Sequence, residues 1–429
     1  MESTKHEFVI VGSGAGGATL AKELAKRGKD VLVVEKGKDE QKLGTFQDCI
    51  RFYDVNKLTK VPRRSAEGVI LWRTIMAGGT TVVSCGNGVR CLEKELADLG
   101  VTLGEEFAEA EAEMHVAPIA QRLLSEGAEA IRSAAETLGY KMDPMPKFID
   151  PVACKKCGQC VAGCASSSKW TALDYLEEAR KAGAEVAYNT SVRKVLIENG
   201  KAMGIIAKGP KGQRKILADK VIIAAGGLGT PVILLKSGVE NAGRGLFVDL
   251  FVNVYGVTSG PNQIHEPTMP LVDLEFHKSK GFLLSPFVNH PAMVRFIEVG
   301  MKGLTMPDDR LLGIMIKTKD EPAGRVYANG KISKPVTEKD WVRLNEGSSI
   351  ARAILVKAGA DEGSIVVSHP QGAHPGGTAA IGTIVDSDLQ TKVENLYVCD
   401  SSVLPSAPGL PPILTIVALA KRLAKKLAL

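Results

Sequence analysis

The chain opens with a strand, a glycine turn, a helix and a second strand ending on an acid, and few folds accommodate that order. Residues 8–17 read Phe8-Val9-Ile10-Val11-Gly12-Ser13-Gly14-Ala15-Gly16-Gly17. The apolar run makes a buried strand, and Gly12, Gly14 and Gly17 follow at the spacing G-x-G-x-x-G. An Ala/Leu-rich helix runs to about Arg27, and a second apolar strand, Val31 to Val34, ends on Glu35. This is the dinucleotide fingerprint in the context it requires. Gly12 permits the tight turn, Gly14 lets backbone approach a pyrophosphate, and Gly17 lets helix and strand pack closely. The helix N-terminus turns its partial positive charge toward phosphates, and Glu35 stands where a ribose hydroxyl donates. The motif does not choose between NAD and FAD.

With 429 residues the chain exceeds one small core and suits two or three intergrown lobes. Hydrophobic residues at 45% and charged ones at 24% are those of a globular protein. The net charge of +6 is spread along the chain, with no dense basic block interleaved with aromatics, so no nucleic-acid partner is expected. No apolar run reaches the ~20 residues that span a bilayer. Met1 to His6 enter the first strand directly and carry no leader pattern, so a cytoplasmic location is expected. Leu414 to Leu429 read as a basic amphipathic helix with Lys421, Arg422, Lys425 and Lys426. Such a helix can lie on a membrane surface. The preferred reading is a packed helix whose cations complement its dipole.

Along the chain, Ala77-Gly78-Gly79-Thr80 to Asn87-Gly88 is a loop of glycines and small hydroxyl residues, built to hold backbone close to something flat or anionic. Residues 104–140 read as surface helices. Val186 to Leu217 reads as a strand meander, and Val221-Ile-Ile-Ala-Ala225-Gly226-Gly227 as a buried strand entering a Gly turn, with Thr230-Pro231 opening a helix. Residues 246–368 carry alternating strands and turn dipeptides, then a helix from Glu338 to Ala358. The expected fold class is α/β (α+β overall): a Rossmann-like nucleotide domain from 1–245 and 369–429, and a mainly antiparallel substrate domain at 246–368.

Eight cysteines are present, and four of them form Cys154-Lys-Lys-Cys157-Gly-Gln-Cys160-Val-Ala-Gly-Cys164. The spacing C-x2-C-x2-C-x3-C is that of ferredoxin loops, so the insert at about 150–168 is expected to ligate one iron–sulfur cluster, of the 4Fe–4S type, through Cys154, Cys157, Cys160 and Cys164. A zinc site, a disulfide-forming patch, a 3Fe–4S cluster, or a fourth ligand from Cys85 or Cys91 are the alternatives. Ala165 stands where ferredoxins have Pro. Cys49, Cys85, Cys91 and Cys399 read as small buried residues.

The last third supplies three further segments: His374-Pro375-Gly376-Gly377-Thr378 to Gly382, Val393 to Pro405 with Cys399-Asp400-Ser401, and Pro408-Gly409-Leu410-Pro411-Pro412-Ile413 to Ala420. With these, the Gly78–Asn87 loop and Gly229-Thr-Pro231, the chain resembles the glucose–methanol–choline (GMC) oxidoreductases over most of its length. That resemblance implies non-covalent FAD, since no His occupies the loop that tethers flavin in some members. It implies Gly12, Gly14 and Gly17 at the pyrophosphate, Glu35 at the ribose, and Val192 at the adenine. Gly78, Gly79, Asn87 and Ala225 would line the cofactor, and Asp400, Ser401, Pro412 and Ile413 would meet its ribityl and pyrimidine parts. It also implies His374 as the catalytic base, because an imidazole takes an alcohol proton while hydride leaves for flavin N5. His369 reads as structural. The family's second His or Asn falls where this chain has Pro411-Pro412. Some relatives carry a Cys/Gly-rich segment before a matching Lys169-Trp-Thr171, which would put the cysteine run near the flavin.

The expectation is therefore an FAD and iron–sulfur oxidoreductase. It would move hydride between a hydroxyl-bearing or carbonyl small molecule and flavin, and relay electrons singly to ferredoxin, a quinone or a partner subunit of a homo- or hetero-oligomer. It would be a dehydrogenase or reductase and not an O2-using oxidase. The alternative is an electron-transfer subunit that retains FAD and cluster without substrate chemistry.

Overall fold

The computed structural model describes residues 4–429 except 57, 59, 60, 301, 302, 304, 305 and 308. The first strand, Thr4–Val11, sits inside a seven-stranded sheet among the described residues. On one side Val31–Val34 and then Glu185–Ala187 run parallel to it. On the other side lies the long strand Gly212–Ile223, also parallel to it. The two ends of that long strand have different neighbours. Its first half pairs antiparallel with Lys201–Gly209, and Lys201–Gly209 pairs in turn with Ser191–Glu198. Its last residues, Val221 to Ile223, pair parallel with Leu396–Val398 from the C-terminal segment. Val31–Val34 is buried throughout, as a continuous apolar run in a parallel sheet should be.

Two helices cover the sheet beside the glycine turn. The first, Ala15–Ala25, packs against the last, Ile413–Leu427. The last helix is buried from Leu414 to Lys421, so the packed reading holds. The physical reason differs from the expected one. Lys421 is 2% exposed and pairs with Glu23 and Glu113 at 3.0 and 2.7 Å, and Lys425 pairs with Glu106 and Glu109. Carboxylates of neighbouring helices, more than the helix dipole, account for these cations. No helix among the described residues is long and apolar enough to cross a membrane.

The second crossover helix starts earlier than Thr230-Pro231 suggests, at Gly226, and carries Pro231 inside it. Proline has no N–H to give the carbonyl four residues back. That carbonyl, on Gly227, accepts instead from the Thr378 hydroxyl at 2.8 Å. A proline that would weaken an isolated helix thus becomes the docking point for the His374–Thr378 segment.

The second sheet has the order Phe282–Pro286, Leu311–Thr318, Leu250–Val257, Gln371–Gly372, Ile70–Leu71, with Val366–Val367 also on Leu250–Val257. Every pairing is antiparallel except the last, Gln371–Gly372 with Ile70–Leu71. Its central strands are buried on both faces, where residues 246–368 had suggested alternation. Leu312, Ile314 and Ile316 pack under the helix Glu338–Lys357. Met315 belongs to the core on the nucleotide side. That helix is fixed at its start by a capping box between Thr337 and Asp340.

Candidate active site

One cavity of about 500 Å³ lies between the two sheets. Gly12, Gly14, Glu35, Gly79, Asn87 and Val192 line it from the first sheet and its loops, and Ala225, Asp400, Ser401, Pro412 and Ile413 line it from the second crossover and C-terminal segments. His374 lines its far end. Gly17 and Gly78 stand just behind the wall. A Cβ on Gly17 would lie 2.0 Å from the Gly12 carbonyl oxygen, so the close helix–strand packing requires glycine there. Gly12 has φ +102 and would bring a Cβ to 2.3 Å from the Ala224 carbonyl oxygen. Gly78, at φ +77, donates its N–H to the Ser13 hydroxyl.

The nucleotide end fits FAD. A Cβ at Gly14 would meet nothing within 4 Å, and the first helix has neither a side-chain cap nor an acid in its first turn. Its leading N–H groups therefore face the cavity without a protein acceptor, the arrangement that binds phosphate. Glu35 is 6% exposed, and its carboxylate accepts from the Ser13 N–H, the Ser13 hydroxyl and the Gly37 N–H. A carboxylate accepts about four bonds, so capacity remains for a ribose hydroxyl. Burial raises the Glu35 pKa, against these donors. Asp400 accepts from the Gly226 N–H at 2.8 Å, the Thr230 hydroxyl at 2.5 Å and the Ser402 N–H at 2.7 Å, which locks the turn before the second crossover helix.

At the far end His374 Nδ1 lies 2.8 Å from Asp249 Oδ2. The other carboxylate oxygen of Asp249 accepts from the Gly409 N–H at 2.9 Å. Asp249 is fully buried and holds φ +49, a left-handed conformation uncommon for a non-glycine residue. The Asp320 carboxylate accepts from the N–H groups on either side, Val248 and Leu250, and is itself paired with Lys334 Nζ at 3.0 Å. A buried ion pair thus fixes the backbone that aims Asp249 at the imidazole. Burial pushes the Asp249 carboxyl up to about 8, against the opposing pull of Lys317, the Gly409 N–H and Lys319. Burial, and then the Lys317 ammonium, hold His374 well below its usual range, so the imidazole is neutral.

Sequence reading missed Asp249. It is the one charged residue in 246–257, an otherwise apolar and amide stretch, and a lone acid in such a run was the available signal. Cys85, read as a small buried residue, is half-buried and lines the cavity.

The cysteine run behaves differently from its spacing. Cys157 is exposed, and Cys154, Cys160 and Cys164 are half-buried and free. Among the described residues no group of three or more His, Cys, Asp or Glu side chains is placed to hold a metal ion. The iron–sulfur ligand set Cys154, Cys157, Cys160 and Cys164 is therefore not assembled. Two causes are local. The Cys164 sulfur is turned to the hydroxyls of Ser168 and Ser166, at 3.3 and 3.5 Å. The Cys160 carbonyl is tied to Lys169 Nζ at 3.0 Å. Burial alone would raise the Cys164 thiol, and the two serines with Lys169 hold it below its usual value. The loop does reach the cavity, since Val161 lines it and its carbonyl accepts from the Tyr53 hydroxyl.

Two family models, both described as GMC oxidoreductase, match residues 6–251 and 324–420. An uncharacterized protein of Methanocaldococcus jannaschii is 33% identical over 98% of this chain and 100% of its own length. A long-chain-alcohol oxidase of Arabidopsis thaliana, FAO4B, is 24% identical over 98% of this chain and 67% of its own. Among solved structures, pyridoxine 4-oxidase from Mesorbium loti superposes with a TM-score of 0.75 at 16% identity, covering 98% of this chain and 99% of its own. These likenesses overturn one expectation. Only a cluster beside the flavin would disfavour an O2-using oxidase. Among the described residues the cysteines do not form that group, and two of these similar proteins, the long-chain-alcohol oxidase and pyridoxine 4-oxidase, are oxidases by name.

Proposed function

Because the chain belongs to the GMC oxidoreductase family, we propose that it binds FAD in the cavity and oxidises a hydroxyl-bearing, largely apolar small molecule, with His374 as the base. The observation that carries this reading is the buried Asp249–His374 hydrogen bond, in the same cavity as the glycine turn.

Gly12, Gly14 and the first helix N-terminus would hold the pyrophosphate, and Glu35 and Val192 the adenosine. Gly79, Asn87, Ala225, Asp400, Ser401, Pro412 and Ile413 would hold the remainder, with Gly17 and Gly78 supporting from behind. When bound, FAD supplies the acceptor for hydride from the carbinol carbon. The rest is done by side chains. Asp249 as carboxylate accepts from Nδ1–H of His374, and this leaves the Nε2 lone pair to take the hydroxyl proton. Phe251, Phe287, Met269, Met293, Met315 and Trp72 give the wall around this end its apolar character. That wall favours an alkyl or ring-bearing substrate, and the likeness to long-chain-alcohol oxidases supports the same class.

The cysteine spacing alone supports a finer reading, in which a cluster passes electrons to ferredoxin, a quinone or a partner subunit. No step above passes through it. Iron and sulfide analysis of anaerobically purified protein decides the matter, and protein with neither, or with zinc alone, ends that reading.

The oxidoreductase reading is tested by anaerobic bleaching of the flavin with a panel of alcohols of increasing chain length. Bleaching by apolar alcohols, lost in His374→Ala with flavin content retained, is the expected result. If no alcohol bleaches the wild-type flavin, the reading fails.

A further inference from the structure

Pro411 and Pro412 both line the cavity, and neither side chain offers it a donor or acceptor. The same cavity is lined by a group that sequence reading passed over. On strand Leu311–Thr318, residues alternate between the overlying helix and the cavity. Ile314 and Ile316 face the helix, and Met315 and Lys317 face the cavity. Lys317 is the one charged residue of that strand. It pairs in register with Phe251, two residues beyond Asp249, and Phe251 lines the same cavity.

Lys317 is 3% exposed, yet it makes no hydrogen bond or ion pair among the described residues. The other buried lysines among the described residues are satisfied. Lys147 gives its ammonium to Cys85 O, Asn87 Oδ1 and Thr268 O, Lys169 to three carbonyls, and Lys334 to Asp320. A lysine head group is costly to bury without a partner, and Lys317 lines the cavity, where a bound molecule can supply one.

We propose that Lys317 is a catalytic residue of the alcohol oxidation inferred above: its ammonium holds the substrate oxygen in the cavity that His374 also lines. The inference rests on that reading of the site. The hydroxyl proton passes to His374 Nε2, and FAD, when bound, would supply the acceptor for the hydride that carries the C–H electron pair. The oxygen becomes that of a carbonyl. Lys317 neither gains nor loses a proton and stabilises the negative charge that grows on the oxygen. Burial lowers the Lys317 pKa, and the Asp249 carboxylate opposes that shift, so an ionised Asp249 favours the ammonium form. The groups facing Asp249 are His374, the Gly409 N–H, Lys317, Lys319 and Asp320; those facing Lys317 are Asp249, His374 and Cys85.

Lys317→Met and Lys317→Arg test this with the FAD-loaded full chain. Anaerobic stopped-flow flavin reduction should fall about 100-fold or more in Lys317→Met with flavin content unchanged, and recover at least tenfold of that in Lys317→Arg. Because Lys317 opposes the rise of the Asp249 pKa, the acid limb of the rate profile should move to higher pH in Lys317→Met. A second readout needs no turnover: hexanoate, an apolar chain with an anionic head, should bind wild type by calorimetry and bind Lys317→Met at least tenfold more weakly. A reduction rate within threefold of wild type, or a raised KM with unchanged kcat, overturns the proposal. So does hexanoate binding that ignores the substitution. If no alcohol reduces wild type but hexanoate binding depends on Lys317, the oxidation reading fails while the anion-holding role of Lys317 stands.

Discussion

Replacing Asp249 with Asn tests the site at its most constrained point. The carboxylate accepts two bonds, one from His374 Nδ1–H and one from the Gly409 N–H. Asparagine keeps the shape but offers one oxygen and one NH2. Either the amide oxygen stays with Gly409 and the NH2 faces Nδ1, which moves the imidazole proton to Nε2 and removes the base, or the Gly409 N–H is orphaned. A hydrogen bond to a charged group contributes about 1.5–3 kcal/mol, and tenfold in rate corresponds to about 1.4 kcal/mol. Flavin reduction in Asp249→Asn should therefore be slower by about 10- to 150-fold at pH 9, read by anaerobic stopped flow with flavin content matched. In wild type, reduction should rise with pH through about 8, because only the ionised Asp249 accepts from Nδ1–H. Stability should move the other way. A carboxyl whose pKa is raised in the folded state favours folding below its ordinary range, and that contribution is lost as pH rises through about 8. Asparagine carries no such dependence. Asp249→Asn should melt no lower than wild type, with the difference growing in its favour from pH 6 to 9. A variant that reduces its flavin within threefold of wild type, or that unfolds more readily at pH 9, refutes this account.

Other substitutions probe the frame. Gly17→Ala puts a methyl 2.0 Å from the Gly12 carbonyl oxygen. It should cost ~1–3 kcal/mol and lower the flavin content of purified protein, read by urea titration and the 450 nm band. Thr378→Val leaves the Gly227 carbonyl without its donor and should cost ~1–3 kcal/mol in urea unfolding; a midpoint unchanged from wild type would show that Pro231 needs no such partner. Lys334→Met strands Asp320 in a fully buried position. A loss of ~3–5 kcal/mol is expected, with slower flavin reduction in whatever folds, since Asp320 supports the Asp249 backbone.

The nucleotide half was legible because its constraints are local. Gly12 and Gly17 are demanded by atoms within a few residues or one neighbouring strand, and periodicity marked the strands around them. The catalytic end was half legible. His374 sits in a distinctive segment, but Asp249 lies 125 residues away and joins it only because Asp320 and Lys334 bend the chain there. Lys317 was hidden because one lysine in an apolar strand has no motif, and its meaning depends on which face of the strand it occupies. The cysteine run shows the opposite limit. Spacing specifies how far apart thiols lie along the chain, while Ser166 and Ser168 hold the Cys164 sulfur and Lys169 holds the Cys160 backbone carbonyl.

The Thr378–Gly227 contact has a further consequence for how the molecule is made. The nucleotide cavity is walled by the first forty residues and closed by Asp400, Ser401 and the last helix. Leu396–Val398 completes the first sheet beside Val221–Ile223, and Gly16 in the first helix leaves room for the Cys399 carbonyl. A chain emerging from the ribosome exposes its glycine turn early, but its partners arrive only after residues 369–427 are synthesised. Such distant pairing makes folding slow. FAD capture is therefore expected late in biogenesis, and free FAD should accelerate maturation of the full chain while leaving shorter nascent chains untouched.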